Sequence, residues 1–417
     1  MNNQRICLLA VIVLGTLAAP SARAIDVVAG KWTLSFDGNV NAHYIYSNCE
    51  SHPAVVGGGL ACVASDSSSS VSNGLLPAAL SVSGATNQGG YDLGFTFGLY
   101  PGISTNDGGS PNLQASDNPN FGHTALGTAG LDIRQVFLTV GTSTMGTIMA
   151  GRNIGLFGAD AILNDMTLLG VGAGNGNYAA PPNTSLGSIG LGYIYTDWLS
   201  QIDYTTPAIG GAKVTVGIFD PLNTLGQVPI NHSSPGFQGK VAWTAGPLYV
   251  SVSGLYQKQR IACADTASIP VATCAGAATG NVEYSSSAFD LGGKYDLGGL
   301  EVLAWYYRGK GVGTTGLFVL SNDAAGHPRD SDGFLAQATY KLGAAKVGLN
   351  YGQSKLDRNP IDPGTLVEKN DKWTGGIYYN LTDNLLLVGE YSRLESKNQA
   401  GAKNTSWNLN GGLFLKF

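Results

Sequence analysis

The stretch from Thr147 to Gly176 concentrates the residues whose types could do chemistry. It begins in a strand-like run, carries Arg152, and then places Asp160 and Asp165 among apolar side chains. Gly-rich, Pro-containing chain (170–182) follows. A long connection with its own apolar content is usually functional or folded against something. The reading made here is that it folds into a barrel and narrows it. Enzyme and metal chemistry find no support. The glycine series from Gly170 is not followed by the Lys-Ser/Thr of a phosphate loop, and no Gly-x-Ser-x-Gly elbow is present. The five histidines are scattered without ligand spacing. The expectation is a protein that is not an enzyme, with no cofactor and no metal site.

The elements that must position these charges are read from periodicity. From Trp32 to Tyr46, apolar residues and glycines (Leu34, Phe36, Gly38, Val40, Ala42, Tyr44) alternate with polar ones (Thr33, Ser35, Asp37, Asn39, Asn41, His43). A period of two sustained this long suits a strand between lipid and water. Asp37 and His43 on the polar face are candidates to line a lumen. The end of the chain repeats the pattern, with Trp407, Leu409, Leu413, Leu415 and Phe417 against Asn408, Asn410 and Lys416. Between these ends the same unit recurs at 75–84, 90–103, 131–141, 146–155, 190–206, 212–220, 236–245, 248–260, 284–298, 300–312, 332–343, 345–357, 371–381 and 385–397. That gives about sixteen strands, an even number as bacterial barrels require. Short turns alternate with long loops, the plan of a transmembrane barrel. An eighteen-stranded, substrate-specific barrel is the alternative, because 48–90 has room for another hairpin.

Composition agrees. The chain has 60 glycines, 19 tyrosines and only 12% charged residues, with a mean hydropathy of +0.06. Weak average hydrophobicity with little charge fits a wall with one apolar and one polar face. The formal net charge of -5 argues against nucleic acid as a partner. Arg5, the apolar run Ile6–Leu17 and Ala22-Arg23-Ala24 read as a secretory signal over residues 1–24, leaving 25–417 as one barrel domain. In that compartment disulfides persist, and the spacing pairs Cys49 with Cys62 and Cys263 with Cys274, each inside one loop.

At this point the chain resembles the Gram-negative general porins, which are trimeric and sixteen-stranded. The resemblance rests on the opening strand, on Arg134-Gln135-Val136-Phe137-Leu138-Thr139-Val140-Gly141, on Ala150-Gly151-Arg152-Asn153 before an acidic loop, and on Trp198 to Pro207 followed by Gly210-Gly211. It implies an all-β transmembrane antiparallel barrel in the bacterial outer membrane. It also implies a homotrimer in contact with outer-membrane lipid, passing small hydrophilic solutes and ions by passive diffusion. In such porins wall arginines oppose carboxylates of the third loop across the pore constriction. Arg134 and Arg152 are the wall candidates here, Asp160 and Asp165 the loop candidates. Opposite charges across a water-filled gap set up a transverse field that orients polar solutes. The third loop departs from the family, offering Leu168-Leu169-Gly170-Val171-Gly172 where a Pro-Glu-Phe-Gly-Gly run is usual. Alternation supplies two more expectations. If Phe137 faces outward, Arg134 faces the lumen. If Leu303, Trp305 and Tyr307 face outward, Arg308 and Lys310 face inward.

Overall fold

The computed structural model describes residues 25–63, 66–103, 131–174, 183–223, 231–262 and 281–417. The signal segment and the pair Cys263 and Cys274 lie outside the described residues. The strands are β1 (Ile25–Ala29), β2 (Trp32–Ser51), β3 (Ser68–Ser72), β4 (Ala79–Gln88), β5 (Tyr91–Pro101) and β6 (Leu131–Thr142). There follow β7 (Gly146–Ile154), β8 (Trp198–Thr205), β9 (Ala212–Phe219), β10 (Gly236–Ala245), β11 (Leu248–Ala262) and β12 (Asn281–Asp296). The last six are β13 (Leu300–Lys310), β14 (Asp330–Leu342), β15 (Ala345–Leu356), β16 (Val367–Asn380), β17 (Leu385–Asn398) and β18 (Lys403–Lys416). A short helix, α1 (Ala159–Asn164), and a 3₁₀ turn (Met166–Leu169) lie between β7 and β8.

Each strand from β4 onward pairs antiparallel with the next, and β18 closes the ring on β2. Two positions in the ring are shared. β3 and β4 both pair with one edge of β2, at His43–Ser47 and Thr33–Asn39. On its other edge, β1 takes Trp32–Phe36 and β18 takes Asn39–Ser51. Eighteen strand segments less two shared positions give sixteen staves. The second hairpin that would have made eighteen is thus a single interrupted stave. Phe417 continues this seam, exchanging both backbone hydrogen bonds with Gly38 at 3.1 Å.

Alternation places apolar side chains outward and polar ones inward along the expected runs. On β18, Leu409 is 55% exposed while its neighbour Asn408 is 1% exposed. On β2, Val40 and Tyr44 are exposed while Asn39, Asn41 and His43 are buried. The run expected as a strand over 190–206 is shorter, because only Trp198–Thr205 joins the sheet. The residues before it belong to the long connection.

Two face assignments are corrected. On β13 it is Leu303, Trp305 and Tyr307 that are buried, packing in clusters with residues of the 155–197 connection such as Phe157, Ile162 and Tyr193. Arg308 and Lys310 are exposed on the opposite, outward face with Val302 and Ala304. The buried face of this stave is aromatic where it packs against Phe157, Ile162 and Tyr193, so apolar content no longer marks the lipid side. On β6, Phe137 faces inward with Thr139, since Val136 and Leu138 are the exposed residues. Arg134 is inward too, because the register against β5 slips between Gly98 and Leu99, leaving Arg134 as an extra residue. A β-bulge of this kind cancels the inversion that an odd offset would give.

Candidate functional site

The connection from Ile154 to Trp198 is held at its base by the Gly155 N–H donating to the Asp197 carbonyl at 3.1 Å. Its course is fixed by polar side chains that point away from the exposed apolar band. Gly158, at φ 78°, makes the turn into α1, and its N–H donates to Asp290 of β12 at 2.6 Å. Only glycine adopts that conformation without penalty. The Asp160 carboxylate accepts from Lys240 of β10 (3.1 Å), and from Tyr249 and Ser251 of β11 (2.7 Å each). Asp165 caps the 3₁₀ turn, accepting from the Thr167 N–H and hydroxyl at 2.9 Å, Tyr193 at 2.8 Å and Asn350 of β15 at 3.2 Å. An aspartate that satisfies orphan amides in this way is a cap before it is a pore charge.

Beyond the turn the chain meets β16 to β18. The Val171 and Gly172 amides both donate to Glu390 of β17 at 2.8 Å, and Tyr378 of β16 donates to its other oxygen at 2.6 Å. The Gly172 carbonyl accepts from Ser392 and from Asn408 of β18. Ser47 of β2 donates to the Gly174 carbonyl. On the return, Lys372 of β16 donates to the Gly187 carbonyl at 2.7 Å. Gly352 of β15 lets the backbone of Leu191 pack directly on the wall, since a Cβ there would collide with that carbonyl. The break between β3 and β4 joins in: the Leu75 amide donates to the Gly170 carbonyl. Apolar packing of Ala161, Ile162, Leu168, Ile189 and Tyr193 on Leu303, Trp305 and Leu335 completes the attachment.

The residues named from the sequence are divided by this arrangement. Arg134 is buried, its Nε 2.8 Å from Asp132 and Nη2 3.3 Å from Asn183, with its guanidinium over the rings of Tyr100 and Trp198. Arg152 is not on the inner wall. It stands in register with Val136 and Ser200 of the exposed face, while its neighbour Asn153 bonds inward to Gln135. Among the described residues no hydrogen bond or ion pair joins Asp160 or Asp165 to either arginine. The partners are Lys240, Tyr249 and Ser251 for Asp160, and Thr167, Tyr193 and Asn350 for Asp165. Asp37 lines the cavity beneath the connection. His43 is fully buried beside Gly74 and Gly412, with neither ring nitrogen hydrogen-bonded among the described residues. Cys49 and Cys62 form a disulfide between the end of β2 and the following loop.

Lys240, Glu390, Lys372, Asp290 and Tyr193 were missed. The strand residues each sit among other polar side chains of the inward parity, such as Gln238 beside Lys240 and Asn370 and Thr374 beside Lys372, and nothing in periodicity singles them out. The signal for Glu390 is its place in the series Leu386, Val388, Glu390, Ser392, where a carboxylate interrupts the inner face. Asp197 closes the site. Burial pushes its carboxyl up to about 6, against the Trp198 amide and Arg152, which favour the ionised form. A cavity of about 2590 Å³ extends from the short turns at Pro247, Gly298 and Gly343 to the underside of the connection at Ile162, Leu163 and Leu168. Lys213, Lys294, Lys341 and Lys346 line it, with Asp203, Asp296 and Glu301.

A closed sixteen-stave barrel with an apolar outer face, a polar inner face and a wide inner cavity defines an outer-membrane β-barrel channel. The family model for Gram-negative porins matches residues 9–399, and the chain belongs to that family. No curated protein sequence matches it. Among solved structures it is similar to the outer membrane channel DcaP of Acinetobacter baumannii, with a TM-score of 0.66 at 14% identity over 95% of this chain and 100% of that one. It is similar to OmpF of Salmonella typhi in complex with daunomycin (TM-score 0.56, 12% identity, 94% and 100% covered). It is also similar to a trimer form of OmpT of Vibrio cholerae (TM-score 0.52, 14% identity, 93% and 99% covered). The protein is a porin of the bacterial outer membrane, a channel for passive diffusion, and its family and fold are those of non-enzymatic channels.

Proposed function

We propose that the described parts of the connection, residues 155–174 and 183–197, lie in the lumen and form the constriction that sets which solutes pass. The observation that supports this reading is its attachment to inward-facing side chains from β10 round to β18 and β2. A segment bonded to opposite walls crosses what lies between them. Non-helical backbone is tolerated at membrane depth where it lines a water-filled cavity. The selective charges in this reading are Lys240 with Asp160, the buried Arg134 with Asp132, and the lysines below them. Asp165 keeps a structural role. The cavity lining carries eight cationic side chains against six carboxylates, which supports a modest preference for small anions. Residues 1–24 serve as a cleaved export signal, and the barrel works as a homotrimer. The small outward residues Gly38 and Ala42 on β2, and the trimer form of a similar barrel, support that assembly.

The test is planar-bilayer recording of the refolded chain, with reversal potentials under a salt gradient and liposome swelling with neutral sugars of graded size. A narrowed, weakly anion-preferring pore gives discrete conductance steps, a steep fall of flux with sugar size, and a reversal potential on the anion side. Flux independent of sugar size, or none at all from a correctly folded barrel, refutes the constriction.

A further inference from the structure

The cavity does not end at the underside of the connection. On the long-loop side it is lined by Leu60 and Val63 after β2, by Leu186 on the returning connection, and by Thr315, Val319 and Leu320 between β13 and β14. In this architecture the long loops are extracellular, so these residues stand at the outer mouth. All six are half-buried, with one side left to the cavity. Apart from Asp160, the described residues of the long connections give the cavity no charged side chain. The other lining charges come from strands and short turns. Apolar surface left open in this way marks a place where something binds.

The connections after β2, β7 and β13 converge at this mouth. Gly190, at φ 72°, lies between Leu60 and Thr315. A Cβ there would stand 2.7 Å from the Leu60 Cδ1 and 2.8 Å from the Thr315 Oγ1. The Tyr195 amide donates to the Thr315 carbonyl at 2.8 Å. Leu60 and Leu186 pack with Ala61, Ala173 and Leu191. The Leu60 amide donates to Ser396 of β17 at 2.8 Å and to Asn370 of β16 at 3.0 Å. The Cys49–Cys62 disulfide ties the same loop to the end of β2. Gly58 lies so close to Leu320 that a side chain would collide with it. The apolar lining is therefore held on fixed backbone.

Leu320 gives a second, independent sign. Its φ is 60°, a left-handed conformation that is costly for a bulky residue and open to asparagine. Phe318 is held at φ 65°, but it is fully buried with Phe157 and Ile194, and that packing compensates. Leu320 rests one side near Val367 and leaves the other to the cavity. Strain kept for a side chain that is only half-buried points to a task in the cavity.

We propose that Leu60, Val63, Leu186, Val319 and Leu320 form an apolar collar at the outer mouth. It binds the apolar part of small amphipathic organic solutes, a branched alkyl or aryl group, before they reach the constriction. This rests on the channel reading, since only a permeating solute meets the collar. The solute lays its apolar side on the collar and keeps its polar head in the water of the lumen. A site at the entrance that binds weakly enough to let go raises flux at low concentration and makes it saturate.

The refolded full chain is placed in liposomes, and uptake of labelled leucine and asparagine is compared at neutral pH. Both are zwitterions of similar size, so sieving and charge treat them alike. Half-burying an isobutyl group raises occupancy about fivefold. Leucine should therefore enter about fivefold faster than asparagine at low concentration and saturate, while asparagine uptake stays linear. Combining Leu60→Asn with Leu320→Asn should bring the ratio to about one, and asparagine accepts the backbone at position 320. Val63→Thr with Val319→Thr keeps the shape of both side chains. It should lower the ratio and leave single-channel conductance unchanged. A wild-type ratio of one or less overturns the proposal, and so does a preference that survives both pairs of substitutions. A sugar cut-off without leucine preference ends the collar and spares the constriction; leucine preference without a sugar cut-off does the reverse.

Discussion

Glu390 is the most informative residue to perturb. Its two oxygens take three donors, the Val171 and Gly172 amides and the Tyr378 hydroxyl, in a site with 3% exposure. Glu390→Ala removes all three acceptor contacts and leaves the buried Lys372 ammonium with one fewer countercharge. An unsatisfied buried donor costs about 1–3 kcal/mol, so the three together cost about 3 kcal/mol or more before any water enters. The cost falls on the attachment of the 170–174 segment to β17, so it should be met by local release more than by global unfolding. Glu390→Gln is the matched control. Its amide oxygen can still accept both backbone N–H groups, and its NH₂ can donate to the Tyr378 oxygen. The expected outcome is a noisy channel for the alanine variant, with brief closures and a shifted mean conductance, and a quiet one for glutamine. Bilayer recording gives the noise, and the heat-induced mobility shift in detergent gives the stability. If the alanine variant matches wild type in both, the clamp does not hold the segment, and the account of its attachment fails.

Other expectations follow from the same contacts. Lys240→Gln leaves Asp160 with two hydroxyl donors and no cation. It should move the reversal potential toward cations and cost about 3 kcal/mol, the low end for a broken buried pair; an unmoved potential removes the pair from the filter. Asp197 has φ 60°, which asparagine tolerates, so Asp197→Asn tests burial alone. The folded carboxyl ionises near 6 and the free one near 3.8, so the folded state loses stability as pH rises from about 4 to 6. Asparagine should therefore stabilise the barrel by up to about 3 kcal/mol at pH 7 and not at all below pH 4, read from unfolding midpoints at the two pH values; an equal gain at both would refute the assignment. Replacing Cys49 and Cys62 by Ser frees a loop with a sequence separation of 13 and should cost about 3 kcal/mol in the chain-entropy account. The drop in the unfolding midpoint on adding reductant should be smaller in the variant than in wild type, by the share that the Cys49–Cys62 bond contributes.

The barrel was legible because each stave is a long run with one solvent on each side. A period of two then reports both the strand and its faces, as in Trp32–Ser51 and Lys403–Lys416. The stave count was legible for the same reason, and the loop pair Cys49 and Cys62 because short closures dominate. The acidic connection was also found, through its apolar content. What alternation cannot see is a third environment. Where the connection packs on β13, the inner face is Leu303, Trp305 and Tyr307, as apolar as a lipid face, and the parity of the whole stave is read backwards. At β6 a single extra residue erases the inversion between Phe137 and Arg134.

The misassignment of Arg152, Arg308 and Lys310 bears on how charge is distributed in the wall. A charged residue near a strand end is free to point outward, because a few residues along the strand carry it from hydrocarbon to headgroups. A charged residue near the middle is not, since desolvation in lipid is costly there. Mid-strand carboxylates and amines therefore point inward whatever their neighbours: Lys240, Asp290, Lys372 and Glu390 all do. Arg152, Arg308 and Lys310 are the last few residues of β7 and β13, where parity alone decides and where a covered inner face makes parity hard to read. Position along the strand is the second coordinate that the sequence supplies. Used together with parity, it separates the charges that face the solute from those that face the outer leaflet.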